Sequence, residues 1–437
     1  MKYQPIIGLE VHIELKTKSK MFCSCSADSF GHQPNSHVCP VCLALPGALP
    51  VPNKKAIEWC VMTGLALHCN IPKFSKFDRK NYFYPDLPKG FQISQYDKPF
   101  CVNGWLKIEK KKIRIQRVHL EVDTAKMIHR KPDRKCTLID FNRSGVPLME
   151  IVTKPDLRKP NEAKIYLKKL QQIVRYLDVS DCDMEKGSMR CEANISLARV
   201  GSKKLPDYKV EIKNLNSFRF VEKALKYEIE RQKKLLESGK KLSQQTRGWN
   251  EVKQITFLQR VKETAADYRY FPEPDIPPIK WKNRAIKKIK RLLPELPDEK
   301  TERFVRDYQF SKHQAEILTA TQKRANYFEK AVKLAKKHDI PTVKIANIII
   351  NKKIDIKRYL PAELIQLLVK KRGRRIIDEE QIEEWAQKVI SHNPNAVADY
   401  KKGKITTLEF LVGQVQRLSK GKADPNITRE ILKKNLK

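Results

Sequence analysis

Apolar and polar positions alternate strictly in two stretches, GLEVHIEL (8–15) and RVHLEVD (117–123). In the first, Leu9, Val11 and Ile13 share one face, and Glu10, His12 and Glu14 share the other. In the second, Val118, Leu120 and Val122 oppose Arg117, His119, Glu121 and Asp123. A period of two predicts strands with one buried face. Same-face residues on a strand lie about 7 Å apart, close enough to converge on one ion or phosphate. A polar strand face usually meets only solvent. Here each face carries only ionisable groups, an imidazole flanked by carboxylates, and such ligands suit Mg²⁺ with nucleotide phosphates.

Elsewhere the period lengthens to that of a helix. From Pro160, the positions Ala163, Leu167, Leu170, Val174 and Leu177 recur at helical spacing. Val221, Leu225, Ile229 and Leu236 do the same, and Gly239 supplies a stop. KWKNRAIKKIKR (280–291) has seven basic residues and no acidic one, and the LPELP that follows breaks the chain. That composition shift marks a first domain boundary. Beyond it the pattern predicts helices over 298–307, 311–318, 326–337 and 361–369. KKRGRR (370–375) interrupts them and marks a second boundary. The remainder reads as a small helical module, with Ile382, Trp385, Ala386 and Val389 on one face and Leu408, Leu411, Val412 and Val415 on another. Its last helix starts with Asp424 as N-cap and Pro425 in the first turn.

The 437 residues suffice for about three domains. Charge changes the picture more than length does: 89 Lys+Arg against 50 Asp+Glu leaves a formal +39. Self-repulsion of that size calls for a polyanion or an acidic partner, and nucleic acid is the preferred reading. The N-terminus shows no signal-peptide pattern, and apolar runs such as IANIII (345–350) are too short to span a bilayer. A cytoplasmic protein with no membrane association is expected, and there clustered cysteines favour metal over disulfide.

Cys23 and Cys25 form one close pair and Cys39 and Cys42 a second, with thirteen residues between the pairs. Two such clips supply the four thiolates of a tetrahedral Zn²⁺ site, which leaves no open position and is therefore structural. The other six cysteines, Cys60, Cys69, Cys101, Cys136, Cys182 and Cys191, lack ligand spacing and are expected in the core. KFDRKNYFYPDLPKGFQISQ (76–95) interleaves Arg79, Lys80 and Lys89 with aromatics, a combination that holds phosphate and stacks bases, or equally a core with a charged surface. NRSGVPLMEI (142–151) presents Arg143 and Glu150; GSMRCEANIS (187–196) presents Arg190 and Glu192; KVEIKNLNSF (209–218) presents Glu211, Lys213, Asn214 and Asn216. Neither a P-loop nor a G-x-G-x-x-G nucleotide motif occurs, so an ATP site must be built another way.

Taken in order, IGLEVHIEL, the cysteine loop, KFDRKNYFYPDLPKGFQISQ, NRSGVPLMEI, GSMRCEANIS, EIKNLNSF and DYRYFPEPDIPP resemble the B subunit of the bacterial aspartyl/glutamyl-tRNA amidotransferase. FLVGQVQRLSKGKADP (410–425) is similar to that family's C-terminal module, so the resemblance runs from about residue 4 to 436. It implies an α+β chain: a cradle domain (1–292) with an antiparallel sheet and flanking helices, an all-α domain (293–372), and an all-α, tRNA-binding tail (373–437). It also implies a two-step reaction. ATP and Mg²⁺ phosphorylate the side-chain carboxylate of Asp or Glu misacylated onto tRNA-Asn or tRNA-Gln. Ammonia released by the amidase (A) subunit then displaces phosphate, and a small C subunit completes a heterotrimer. By matching motif, Glu10, His12 and Glu150 neighbour Mg²⁺, Lys80 and Arg190 contact phosphate, and these five are the catalytic set. Arg79, Arg143, Glu192, Lys213, Asn214 and Asn216 line the substrate and ATP pocket, and Cys23, Cys25, Cys39 and Cys42 hold Zn²⁺.

Two departures stand out. The family pattern H-x-E-E-D-x-G-K reads HLEVDTAK at 119–126, with Val122 in place of the second Glu. Strand alternation assigns the Mg²⁺ contact to Glu121 instead. The chain is also shorter than usual, with the gap placed near 355–378. The rival reading is a zinc-containing tRNA-binding subunit without catalysis.

Overall fold

The computed structural model of the protein describes residues 2–129, 136–202, 204–261, 268–373 and 378–436. Its contacts divide the chain into two compact units, Met1–Lys300 and Thr301–Lys437. The second boundary expected from KKRGRR runs into residues 374–377, outside the described ones.

The first unit is organised by an eight-stranded sheet. In spatial order its strands are Ile255–Val261, Gln245–Asn250, Val210–Leu215, Met189–Arg199, Tyr3–Glu14, Pro147–Thr153, Lys111–Val122 and Cys101–Ile108. Neighbours run antiparallel except Val210–Leu215 beside Gln245–Asn250, which are parallel. The alternation read from the sequence sets the faces: Leu9, Val11, Ile13, Val118 and Leu120 are all at most 1% exposed and belong to one continuous core. The helices Pro160–Tyr176 and Phe218–Glu237 join that core through Ala163, Leu167, Leu170, Val174, Val221 and Leu225. Each start is fixed by a cap. Glu162 accepts the Arg158 N–H at 2.8 Å, and Ser217 accepts the Phe220 N–H at 3.1 Å.

A third helix of this core, Lys54–Ala66, is not marked by helical periodicity in the sequence, because its residues from Ala56 to Ala66 are nearly continuously apolar. Asn53 caps it, accepting from the N–H groups of Lys55 and Ala56 at 2.9 and 3.1 Å. Gly64 lets it press on the edge strand, since a Cβ there would fall 2.2 Å from Cys101 Sγ. KWKNRAIKKIKR also contains a helix, Asn283–Arg291, with Ile289 buried. A separate three-stranded sheet, ordered Phe271–Pro272, Asp78–Asn81, Phe91–Ser94, carries the Arg79 and Lys80 segment.

Five of the six non-clustered cysteines are buried as expected, but Cys136 is exposed. It precedes Thr137–Asp140, which pairs among the described residues only with Lys126–His129, outside the large sheet.

The second unit is helical throughout its described residues. One core forms around Phe304, Phe328, Ala331 and Ile345, the other around Ile382, Leu411, Val415 and Leu432. The helices Pro297–Tyr308, Lys312–Leu318, Gln322–Ala335 and Pro361–Gly373 match the predicted ones, and Thr342–Ile350 adds the IANIII segment. Asp424 caps Pro425–Asn435 as expected, accepting the Asn426 N–H at 2.9 Å. No helix among the described residues is long and apolar enough to cross a membrane.

Candidate active site

Strand register arranges the polar face of the large sheet in rows. Directly paired residues point to the same face, so His12 stands beside Arg190 on one side and Glu150 on the other, with His119 beyond Glu150. The next row away from it holds Glu192, Glu10, Val152 and Arg117. On the opposite side, Glu121 follows His119 by one step along the same strand face.

His12, Glu121 and Glu150 bring ligand atoms within 4.8 Å of one another. His12 Nε2 lies 3.7 Å from Glu121 and 3.6 Å from Glu150, and His119 Nε2 lies 3.1 Å from the same Glu150 oxygen. Burial pulls the His12 imidazole down, but Glu150 and Glu121 outweigh it and raise it to about 9. Burial raises Glu150, and the two histidines overcome that and hold it well below the usual carboxylate range. Glu121 also accepts from Ser94 at 3.2 Å, which orients it. Val122 points the other way, into the apolar core, so the departure from the family pattern leaves this three-residue centre whole.

Glu10 does not join that centre, contrary to the expectation from its motif. It sits one row along and groups with Glu192 and Glu211, again within 4.8 Å. Cross-strand partners are about 5 Å away and same-strand partners about 7 Å, so register favours Glu192. Burial first, then Glu150, Glu192 and Glu211, raise Glu10 above its ordinary value. Asn194 donates to Glu10 at 2.8 Å, and Lys213 donates to Glu192 at 2.6 Å.

Lys80 reaches the first centre from the small sheet. Its Nζ lies 4.9 Å from the Tyr268 ring centroid and 5.7 Å from that of Tyr82. Burial opposes its charge, yet Glu121 first, then Tyr270, Tyr82 and Glu150, raise it above the ordinary lysine value. The carboxylates of the first centre thus favour its charged form. Arg190 donates to Glu14 at 3.0 Å and to Asp123. Arg143 lies 3.6 Å from Asp123 while donating to the Thr124 and Ala125 carbonyls at 2.9 and 3.0 Å. The two guanidiniums overcome burial and lower Asp123 to about 2, whereas burial and Asp123 push Glu14 up to about 8.

Three expected pocket residues do not join the carboxylate rows. Arg79 makes a two-pronged pair with Glu273 at 2.8 and 2.7 Å and reaches Asp275 at 3.1 Å. Asn216 is exposed and donates to Glu251 at 3.2 Å. Asn214 is exposed with φ 62° and has no hydrogen bond to the carboxylates among the described residues. Arg79 and Asn214 neighbour Lys80 and Lys213 along their strands, so alternation sets them on the opposite face, and Asn216 lies just past its strand end. Conversely, His119 and Glu211 belong with the site although the motifs assign neither a role. Their strand positions are the available signal.

The four clip cysteines bring their sulfurs within 4.8 Å of one another. A tetrahedron with Zn–S bonds of about 2.3 Å has edges of about 3.8 Å, so the cluster fits Zn²⁺. The Cys23 hydrogen bond, with Lys20's charge also contributing, lowers Cys42 to about 4. Lys20 is fully buried. Its Nζ lies 3.7 Å from Cys42 Sγ and donates to the carbonyls of His37 at 2.7 Å and Phe141 at 3.3 Å. The loop is thereby tied to the segment that aims Arg143 at Asp123.

Fold and site together describe a carboxylate-lined cradle that can hold divalent cations beside a lysine. The family model described as the GatB/GatE catalytic domain matches residues 5–287, and the one described as the GatB domain matches 309–436. The chain belongs to the GatB family. It is 47% identical to the B subunit of the aspartyl/glutamyl-tRNA(Asn/Gln) amidotransferase of Thermoanaerobacter pseudethanolicus, over the full length of both chains. It is 45% identical to the protein of the same name from Thermotoga maritima, over all of this chain and 99% of the relative. The first alignment spans 481 positions against 437 residues here, in line with a shortened chain.

Proposed function

We propose that this chain is the B subunit of an aspartyl/glutamyl-tRNA amidotransferase and activates the side-chain carboxylate of misacylated Asp or Glu. The γ-phosphoryl group of ATP passes to a carboxylate oxygen, giving an acyl phosphate and ADP. Ammonia then attacks the acyl carbon and phosphate leaves, giving the amide. The observation that carries this reading is Lys80 set against the His12–Glu121–Glu150 centre, because phosphoryl transfer needs positioned cations around the moving oxygens more than covalent chemistry.

His12, Glu121 and Glu150 would hold one Mg²⁺, and Glu10, Glu192 and Glu211 are placed to hold a second. Bound there, Mg²⁺ neutralises phosphate oxygens and orients them. Lys80 supplies a fixed charge for the transferred group. His119 holds Glu150 in place. Arg190 and Arg143 keep Asp123 ionised and pin the strand end beside the centre. Cys23, Cys25, Cys39 and Cys42 would hold a structural Zn²⁺ that braces the loop. Ammonia comes from the amidase (A) subunit, with a small C subunit completing a cytoplasmic heterotrimer. The two helical modules, 293–372 and 373–437, carry the tRNA.

Reconstitution with the A and C subunits tests this. Given Glu-tRNA-Gln or Asp-tRNA-Asn, glutamine and Mg·ATP, the complex should form the amidated aminoacyl-tRNA. Binding of tRNA without ATP turnover would instead select the non-catalytic reading.

A further inference from the structure

The helix Asn283–Arg291 takes no part in the steps above. Its inner side is fixed: Ile289 is buried in the same continuous core as Leu9, Val11 and Ile13, and Leu293 packs against that core. Along its outer side runs an open trough of about 620 Å³, lined by Asn283, Arg284, Lys287, Lys288 and Arg291. The four cations fall at i, i+3, i+4 and i+7, which is one helical face. All four are exposed, and no side chain among them makes an ion pair or hydrogen bond with the described residues.

This stripe works against the helix that carries it. Arg284 with Lys288, and Lys287 with Arg291, are like charges four residues apart, a spacing that destabilises a helix. The macrodipole favours cations only in the last turn, and the first turn, where Arg284 stands, holds no acidic residue. Elsewhere in the first unit exposed cations meet carboxylates, as Arg114 does Asp156 and Lys226 does Glu222. A row of one sign without such partners calls for a polyanion from outside.

The lining selects the kind of polyanion. A protein partner docks through aromatic and apolar anchors at a centre depleted of charge, and this trough has none. A sugar–phosphate backbone needs only guanidinium and ammonium groups at a suitable spacing. Arg284 to Arg291 covers about 10 Å of helix, and a duplex strand carries a phosphate about every 3.4 Å of its axis. The stripe therefore faces about three consecutive phosphates of one strand. Its place in the fold is also informative. Lys280, just before the helix, pairs with Phe74, and Lys80 follows six residues after Phe74, a span of at most about 22 Å.

We propose that the Arg284–Lys287–Lys288–Arg291 face is a docking surface for the phosphate backbone of the aminoacyl-tRNA, in the duplex next to its 3′ end. The catalytic unit then holds the tRNA by itself, separately from the helical modules. The identity of the RNA rests on the amidotransferase reading.

The test uses the complex reconstituted with the A and C subunits. One variant combines Arg284→Gln, Lys287→Gln, Lys288→Gln and Arg291→Gln, because glutamine keeps helix propensity. A control combines Lys107→Gln, Lys110→Gln, Lys240→Gln and Lys241→Gln, four exposed cations of the same unit, and so removes the same charge. The stripe variant should bind Glu-tRNA at least about tenfold more weakly, and its slope of log Kd against log salt should be shallower by about 3. Its KM for ATP should stay within about twofold of wild type, as should the control's tRNA affinity. Equal weakening in both variants would assign the effect to net charge and overturn the proposal. Unchanged tRNA affinity in the stripe variant would overturn it as well. The wild-type complex gives a reading that needs no substitution: bound tRNA should slow acetylation of Lys287 and Lys288, followed by mass spectrometry. Reactivity unmoved by saturating tRNA overturns the proposal, and protection by the A and C subunits before tRNA is added reassigns the stripe to a protein interface. A complex whose stripe is protected by tRNA but which cannot amidate would refute the amidotransferase reading and leave the surface standing.

Discussion

In the proposed reaction the chemistry turns on Lys80, whose charge is favoured against burial by Glu121 and, less, by Glu150. Lys80→Ala should lower amidation at least about 100-fold, removing electrostatic stabilisation of the kind worth roughly 10²–10³ in rate. Its effect on tRNA affinity should stay within about twofold. An equal loss of both in a filter-binding and amidation pair would show that Lys80 serves tRNA and not phosphate. Glu121→Gln should weaken Mg²⁺ binding, read by Mn²⁺ titration in the absence of tRNA, whereas Val122→Ala should leave that titration unmoved. Much of this centre is legible in the chain: the period-2 faces put His12, His119 and Glu121 on polar sides correctly. What alternation leaves open is which strands are neighbours. Glu10 goes with His12 when only their shared strand is considered, and the pairing with Glu192 and the approach of Glu211 move it. Arg79 looks like a phosphate ligand in sequence because its partners Glu273 and Asp275 lie nearly 200 residues away.

At the scale of elements, the cysteine loop and the Arg190 clamp set the rigidity of the site. Zinc analysis should find about one ion per chain, and a strong chelator should lower the melting temperature, with activity falling only as structure is lost. Lys20→Met should destabilise by about 3–5 kcal/mol, as removal of one partner of a buried charge pair does; urea titration of the two proteins measures it. The clamp has a pH signature. Glu14 sits at about 8 against an ordinary 4.5, so the stability linked to its proton is complete below about 4.5 and is lost as pH rises through about 8. Glu14→Gln keeps the neutral form at every pH. Its melting temperature should match wild type at pH 4 and exceed it by several degrees at pH 8.5. A gap that does not change with pH would contradict the raised Glu14. Helices with clean 3.6-residue periods are legible to within a few residues. Lys54–Ala66 is not, because its burial is decided by close contact at Gly64 with a distant strand.

For the whole molecule, a formal charge of +39 fits a protein whose substrate is a polyanion. Affinity for tRNA should fall at least about tenfold between roughly 50 and 200 mM salt, and a flat salt dependence would remove nucleic acid as the explanation of the charge. The two-part division is legible as a change from mixed to purely helical patterning. Its position at Lys300 is not, because contacts and not composition end the first unit. The central claim, that this chain's carboxylate centre activates an amino acid by phosphorylation, is tested most directly by isotope transfer. Glu-tRNA carrying ¹⁸O in its side-chain carboxylate is amidated by the reconstituted complex, and the phosphate released is analysed by mass spectrometry. One ¹⁸O per phosphate at full turnover, with transfer abolished by Glu150→Gln, is the predicted result; unlabelled phosphate alongside amide formation would contradict the account.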